Sequence, residues 1–132
     1  MSSGNSQPAG SARVLVVDDE ALVRGVLVDI LTESGFDVVG QAGDGIEALD
    51  LARELQPDLV LRDIKMPRLD GIACASRLRE EQPAVRAVIL SAEWDEAYRS
   101  QAAAAGAVAF VAKGAPFGEI VAALRAALDR RI

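Results

Sequence analysis

The sequence predicts a single α/β domain built on an open, doubly wound parallel sheet. Three observations carry this. Five short apolar runs alternate with five amphipathic stretches along the 132 residues. Runs that short, apolar on both faces and each followed by a helix, belong in a parallel sheet covered on both sides. A closed eight-unit barrel needs about twice this length, so the open sheet remains.

The elements follow in order. Val14 to Val17 is a continuous, mostly β-branched run, as in a doubly buried strand. Leu22, Val23, Val26, Leu27, Ile30 and Leu31 then recur at helical spacing, and Gly35 stands where that helix should stop. Val38-Val39 reads as a short second strand. Asp44 and Glu47 have the spacing of a capping box, opening a helix with Ile46, Leu49, Ala52 and Leu55 that Pro57 ends. Leu59 to Leu61 is a third strand. Asp70-Gly71 opens a helix with Ile72, Ala75 and Leu78, closed before Pro83. Val85 to Leu90 is a fourth strand, and an Ala-rich helix covers roughly 95–105. Val108 to Val111 is a fifth strand, and Pro116 suits the first turn of a last helix bearing Ile120, Val121, Leu124 and Leu128.

Composition narrows the function. Hydrophobic residues make up 51%, which argues against a disordered chain, and the net charge of −6 argues against nucleic acid as direct partner. A lone Cys74 gives no internal disulfide and fits a cytoplasmic protein; it reads as a small apolar helix residue. The absence of histidine excludes a Ser-His-Asp triad and an imidazole zinc site. Residues 1–11 are uncharged and lack the apolar centre of a signal peptide, so they read as a disordered tail before a domain at 12–132. The longest apolar run, 102–112, is too short to span a bilayer. There is no Gly-rich phosphate loop, no internal repeat and no linker to a second domain.

In open parallel sheets the ligand crevice lies at the carboxyl ends of the strands. Strand one ends in Asp18-Asp19-Glu20, strand three in Asp63, strand four in Ser91-Ala92, and strand five in Lys113. If strands one and three are neighbours, their carboxylates converge within about one strand spacing of 4.8 Å and repel unless a cation sits among them. Oxygen donors without imidazole or thiolate favour Mg2+, with Mn2+ as substitute. A carboxylate, a hard metal, an ammonium and a hydroxyl around one point can stabilise phosphoryl transfer, with the carboxylate as nucleophile.

Asp18-Asp19-Glu20 behind the first strand, the Asp58 to Gly71 segment with its Asp63-Ile64-Lys65-Met66-Pro67 centre, Ile89 to Ala92, and Phe110 to Lys113 together resemble the receiver domain of bacterial two-component response regulators. The resemblance covers about residues 12–130. It implies a flavodoxin-like sandwich of five parallel strands in the order 2-1-3-4-5. It implies Asp63 as phosphoacceptor, with Asp18, Asp19, Asp63 and the backbone carbonyl of Lys65 around Mg2+. Ser91 and Lys113 would contact the phosphoryl group, and Ser91 and Phe110 would switch together. Ala92 leaves a path to Asp63, and Lys65 and Glu93 fall where the family tunes dephosphorylation. The implied donor is a sensor histidine kinase or phosphotransfer protein. The implied output is an effector or output domain, with a possible homodimer on phosphorylation and neither nucleic acid nor membrane as direct partner. The stretch from Lys113 to Arg125 resembles receivers that precede a LuxR-type helix-turn-helix.

Two positions depart from the family pattern: Lys113 is followed by Gly114 rather than proline, and Arg62 replaces an apolar residue in the third strand. Simpler readings stand beside these. Asp18-Asp19 can cap the first helix. Ser91 can cap the next one. Lys113 can be a solvated loop lysine, and Phe110 plain core. Trp94 can be surface or a partner contact, and Arg62 a snorkelling side chain whose head reaches water. Besides the phosphorylation switch, which is not a turnover enzyme, two functions remain open. One is a Mg2+-dependent phosphatase. The other is a degenerate receiver that only binds partners.

Overall fold

The computed structural model describes residues 11–63, 71–91, 100, 103–104 and 106–129. Five strands form one parallel sheet in the order β2-β1-β3-β4-β5. They are β1 (Arg13–Val17), β2 (Asp37–Ala42), β3 (Leu59–Asp63), β4 (Arg86–Ser91) and β5 (Ala107–Ala112). The helices are α1 (Ala21–Glu33), α2 (Gly45–Leu55), α3 (Gly71–Glu81) and α4 (Phe117–Asp129). The Ala-rich helix expected over 95–105 falls largely outside the described residues.

Side chains alternate across each strand, so the sheet separates two cores. Val14, Val16, Leu59, Leu61, Val88 and Leu90 meet Leu27 and Leu31 of α1 and Ile120 and Leu124 of α4. Leu15, Val17 and Val60 meet Ala48, Leu49 and Ala52 of α2 and Leu78. The strands are apolar on both faces because both faces are covered.

Local signals in the sequence explain most boundaries. Asp44 accepts from the Glu47 N–H at 2.8 Å, and Glu47 accepts from the Gly43 N–H at 2.7 Å. This reciprocal cap starts α2. Gln56, in a left-handed conformation just before Pro57, stops it. Gly35 has φ of 95°, and the Phe36 N–H reaches back to the Leu31 carbonyl at 3.0 Å, closing α1 as its position predicts.

Four expectations shift. β2 runs to Ala42, longer than Val38-Val39, because parallel pairing with β1 carries it past Gly40 and Gln41. Val85 lies in the turn before β4, its N–H bonded to the Gln82 carbonyl at 3.0 Å. Pro116 stands one residue ahead of α4 and supplies its first acceptor, to the Glu119 N–H at 2.9 Å. On α1, only Leu27 and Leu31 are fully buried, while Leu22 is 87% exposed and Val26 is largely exposed.

The amino-terminal edge of the sheet is tied by one arginine. Arg13 donates its N–H to Asp58 Oδ2 at 2.9 Å, and its Nη1 to the carbonyls of Leu55 at 2.8 Å and Gln56 at 3.1 Å. Asp58 in turn donates its N–H to the Arg13 carbonyl at 2.9 Å. β1, β3 and the end of α2 are thereby joined at one corner.

Leu124 of α4 is fully buried against the sheet. Leu124→Ala is expected to lower the unfolding free energy by about 3 kcal/mol, measured as a lower urea midpoint at constant slope. A loss under about 1 kcal/mol would mean that α4 is not anchored there.

Candidate functional site

The strand order sets the site. β1 and β3 are adjacent, so the turn after β1 and the last residue of β3 share one edge. Asp18 is fully buried and Asp63 nearly so, while Asp19 and Glu20 are exposed. Carboxylate oxygens of Asp18, Asp19 and Glu20 lie within 4.8 Å of one another.

Lys113 follows β5, two strands from β3. That gap is about 10 Å, a span suited to a long unbranched stem. Its Nζ donates to Asp63 Oδ2 at 2.6 Å, and lies 3.0 Å from Asp18 Oδ2 and 3.4 Å from Glu20 Oε1. Among the described residues no peptide bond is cis, so the lysine reaches Asp63 across a trans Lys113–Gly114 bond. Burial alone would depress the pKa of this ammonium. The hydrogen bonds and negative charges of Asp63 and Asp18 more than reverse that, and hold it above the ordinary lysine value.

The β1–α1 turn is organised by its own groups. The Asp18 N–H bonds the Ala42 carbonyl at 3.0 Å, extending the sheet by one rung. Asp18 Oδ1 accepts the Glu20 N–H at 2.8 Å. Asp18 is therefore a local cap through one oxygen, while Oδ2 faces the acidic cluster. That second oxygen is buried and faces the Lys113 ammonium at 3.0 Å. A buried carboxylate oxygen among two further carboxylates, with no sulfur or imidazole, fits a hard divalent cation. Asp18, Asp19 and Glu20 are the carboxylates whose oxygens lie close enough together to share such a cation, with Asp63 beside Asp18 across the Lys113 ammonium.

A model of the response regulator receiver domain matches residues 14–125. The chain belongs to the response-regulator receiver family. It is 42% identical to the transcriptional regulatory protein PdtaR of Mycobacterium tuberculosis over 118 residues, 89% of this chain and 57% of that protein. The chain thus spans little more than half of that relative. A LuxR-family two-component response regulator from Aurantimonas superposes with a TM-score of 0.86 at 35% identity, covering 92% of this chain and 88% of that one. CheY of Borrelia burgdorferi, solved with CheX, BeF3 and Mg2+, superposes with a TM-score of 0.83 at 30% identity, covering 87% of each chain. The five-strand order is the one this receiver family's resemblance implies.

Of the residues expected at the receiver site, Asp18, Asp19, Asp63 and Lys113 gather at one edge. Ser91 is the last residue of β4, paired opposite Ala112, and its side chain lies outside the described part. Phe110 is half-buried on β5, opposite Ile89. Lys65, Ala92, Glu93 and Trp94 fall outside the described residues, as does the side chain of Cys74. Lys113 is not a solvated loop lysine, because three carboxylates surround its head. Arg62 does not snorkel: it is fully buried between Val17 and Ile89 in the centre of the sheet. The reason is its register. By alternation it shares the face of Val60, against the α2 core, two strands from either edge. The sequence pattern singles out neither Glu20 as a contact of Lys113 nor Arg24, whose Nη1 donates to the Asp18 carbonyl.

Removing the Lys113 ammonium leaves two largely buried carboxylates facing each other. Lys113→Met is expected to destabilise the metal-free domain by about 2 kcal/mol, below the 3–5 of fully buried pairs because the lysine is partly solvated. The folded pKa lies above the unfolded one, so this contribution is fully present below the unfolded lysine value of about 10.4 and fades only as pH rises through the folded value. Urea unfolding of both proteins at pH 7 and pH 9 should give the same difference. A difference that decays between those values contradicts the assignment.

Proposed function

We propose that this receiver is a phosphorylation-controlled switch, with Asp63 taking a phosphoryl group from a sensor histidine kinase or phosphotransfer protein. The observation that carries this reading is the 2.6 Å contact between Lys113 and Asp63, beside three further carboxylates. An Asp63 carboxylate oxygen forms the new bond to phosphorus as the donor's bond breaks. Lys113 is already in place to pair with a phosphoryl oxygen. Bound Mg2+ supplies charge neutralisation, and the co-occurrence of Mg2+ and BeF3 with the Borrelia CheY supports that cation for this donor set. Ser91 is read as a hydrogen-bond donor to the phosphoryl group, and the backbone carbonyl of Lys65 as a further metal ligand. Transfer changes the charge around Lys113, and Ser91 with Phe110 relays this to the face beside β5 and α4. The reaction is confined to the chain's own Asp63, and an output domain or effector reads the result.

Leu22, Val26 and Phe117 support a protein partner. With Leu27, Leu90, Ile120 and Lys113 they line an apolar groove of about 330 Å³ between α1 and α4, opening beside the acidic edge. No helix among the described residues is long and apolar enough to cross a membrane, which suits a cytoplasmic setting. The alternative, a degenerate receiver that only binds partners, rests on Gly114 and Arg62. The reach of Lys113 to Asp63 without a following proline weakens it.

Intact mass after incubation with acetyl phosphate decides between them. Wild type with Mg2+ should gain one phosphoryl mass, and should gain none with excess chelator. Asp63→Asn should gain none while remaining folded by circular dichroism. Uptake by Asp63→Asn, or none by a folded wild type that binds Mg2+, would remove the switch reading.

A further inference from the structure

Arg24 lies one turn into α1 and is half-buried. Its guanidinium spans two loops. Nη1 donates to the main-chain carbonyl of Asp18, and Nε donates to Gln41 Oε1 at 3.3 Å, near the end of β2. A side chain started at Gly43 would come within 3.6 Å of the same Nη1, so the loop after β2 closes over it.

The Asp18 carbonyl belongs to the peptide that leads into Asp19. Rotation of that peptide swings the Asp19 carboxylate towards or away from its neighbours. The Glu20 N–H on Asp18 Oδ1 fixes one side of the turn, and Arg24 fixes the other. The guanidinium also brings positive charge to the main chain of the turn, whereas Lys113 stands against its carboxylates, at Asp18 Oδ2 and Glu20 Oε1. Arginine suits this place because its planar fork addresses two acceptors at once and stays charged.

We infer that Arg24 is a positioning residue for the metal-binding turn. Its fork holds the Asp18 peptide so that the carboxylates of Asp18 and Asp19 converge on a divalent cation, and it acts through them without touching the cation. This rests on the proposed Mg2+-dependent reading of Asp63.

Calorimetric titration of Mg2+ into the unphosphorylated protein tests it, alongside acetyl phosphate uptake across a Mg2+ series and thermal unfolding in chelator. Arg24→Ala is expected to weaken Mg2+ binding about tenfold, as loss of the groups that orient metal ligands does. Uptake at saturating Mg2+ should return to within about twofold of wild type, so that the change sits in half-saturation and not in limiting rate. Arg24→Lys should fall between, about threefold weaker, because one ammonium can reach the Asp18 carbonyl but cannot hold Gln41 as well. Wild-type Mg2+ affinity in Arg24→Ala, with only its thermal midpoint lowered, would make Arg24 a plain structural strut and overturn the inference. If the alanine variant does not fold, wild-type affinity in Arg24→Lys overturns it equally. A wild type that binds no Mg2+ removes the metal-dependent reading and this inference together, whereas a wild type that binds it beside an unaffected variant removes this inference alone.

Discussion

One ammonium stands against four carboxylates at the carboxyl edge of the sheet, and the rest of the domain holds that imbalance in place. Lys113 contacts Asp63, Asp18 and Glu20, with Asp19 in the same cluster. Like charges this close repel, and water screens the exposed Asp19 and Glu20 but does not screen the buried Asp18. The turn does not open because Asp18 is tied through its N–H to Ala42 and through its side chain to Glu20. Asp63 is the last residue of a strand buried along its whole length. Hydrophobic burial in two cores supplies the stability that lets an unfavourable charge arrangement persist, and such an arrangement suits a hard dication.

The strand order converts distant sequence positions into neighbours. Asp18 and Asp63 are far apart in the chain, but β1 and β3 are hydrogen-bonded from Val14 to Val17. Lys113 comes from β5, and a long side chain crosses the end of β4 to meet them. Without proline after it, the lysine still arrives, because the turn is closed by the Ala115 N–H on the Ala112 carbonyl at 3.0 Å. The direction of the stem is set by the end of β5.

Much of this was legible from residue order. Apolar runs marked all five strands, since strands covered on both faces must be apolar throughout. The caps at Asp44 and Gly35 marked helix ends, because each acts on its own neighbours. The polar residues after strands one, three and five meet at one edge, because strand ends are where a parallel sheet exposes chemistry. What depended on tertiary packing was less legible. Leu22 and Val26 have the right helical period, yet they line an open groove between α1 and the start of α4 and stay exposed. Arg62 reads as needing water, but register decides its surroundings and not composition. Arg24 carries no motif, because its role is to reach acceptors on two different loops.

The Arg13–Asp58 corner gives the sheet two unlike ends. Strand starts, the end of α2 and the entry to β4 are cross-linked there, with the Arg86 N–H on the Asp58 carbonyl at 3.1 Å. The strand exits carry the charge. A plate clamped along one border and loaded along the other behaves as a cantilever: force applied at the loaded border is not absorbed by sliding at the clamped one. A change of charge beside Lys113 therefore acts on a border whose opposite side is already fixed.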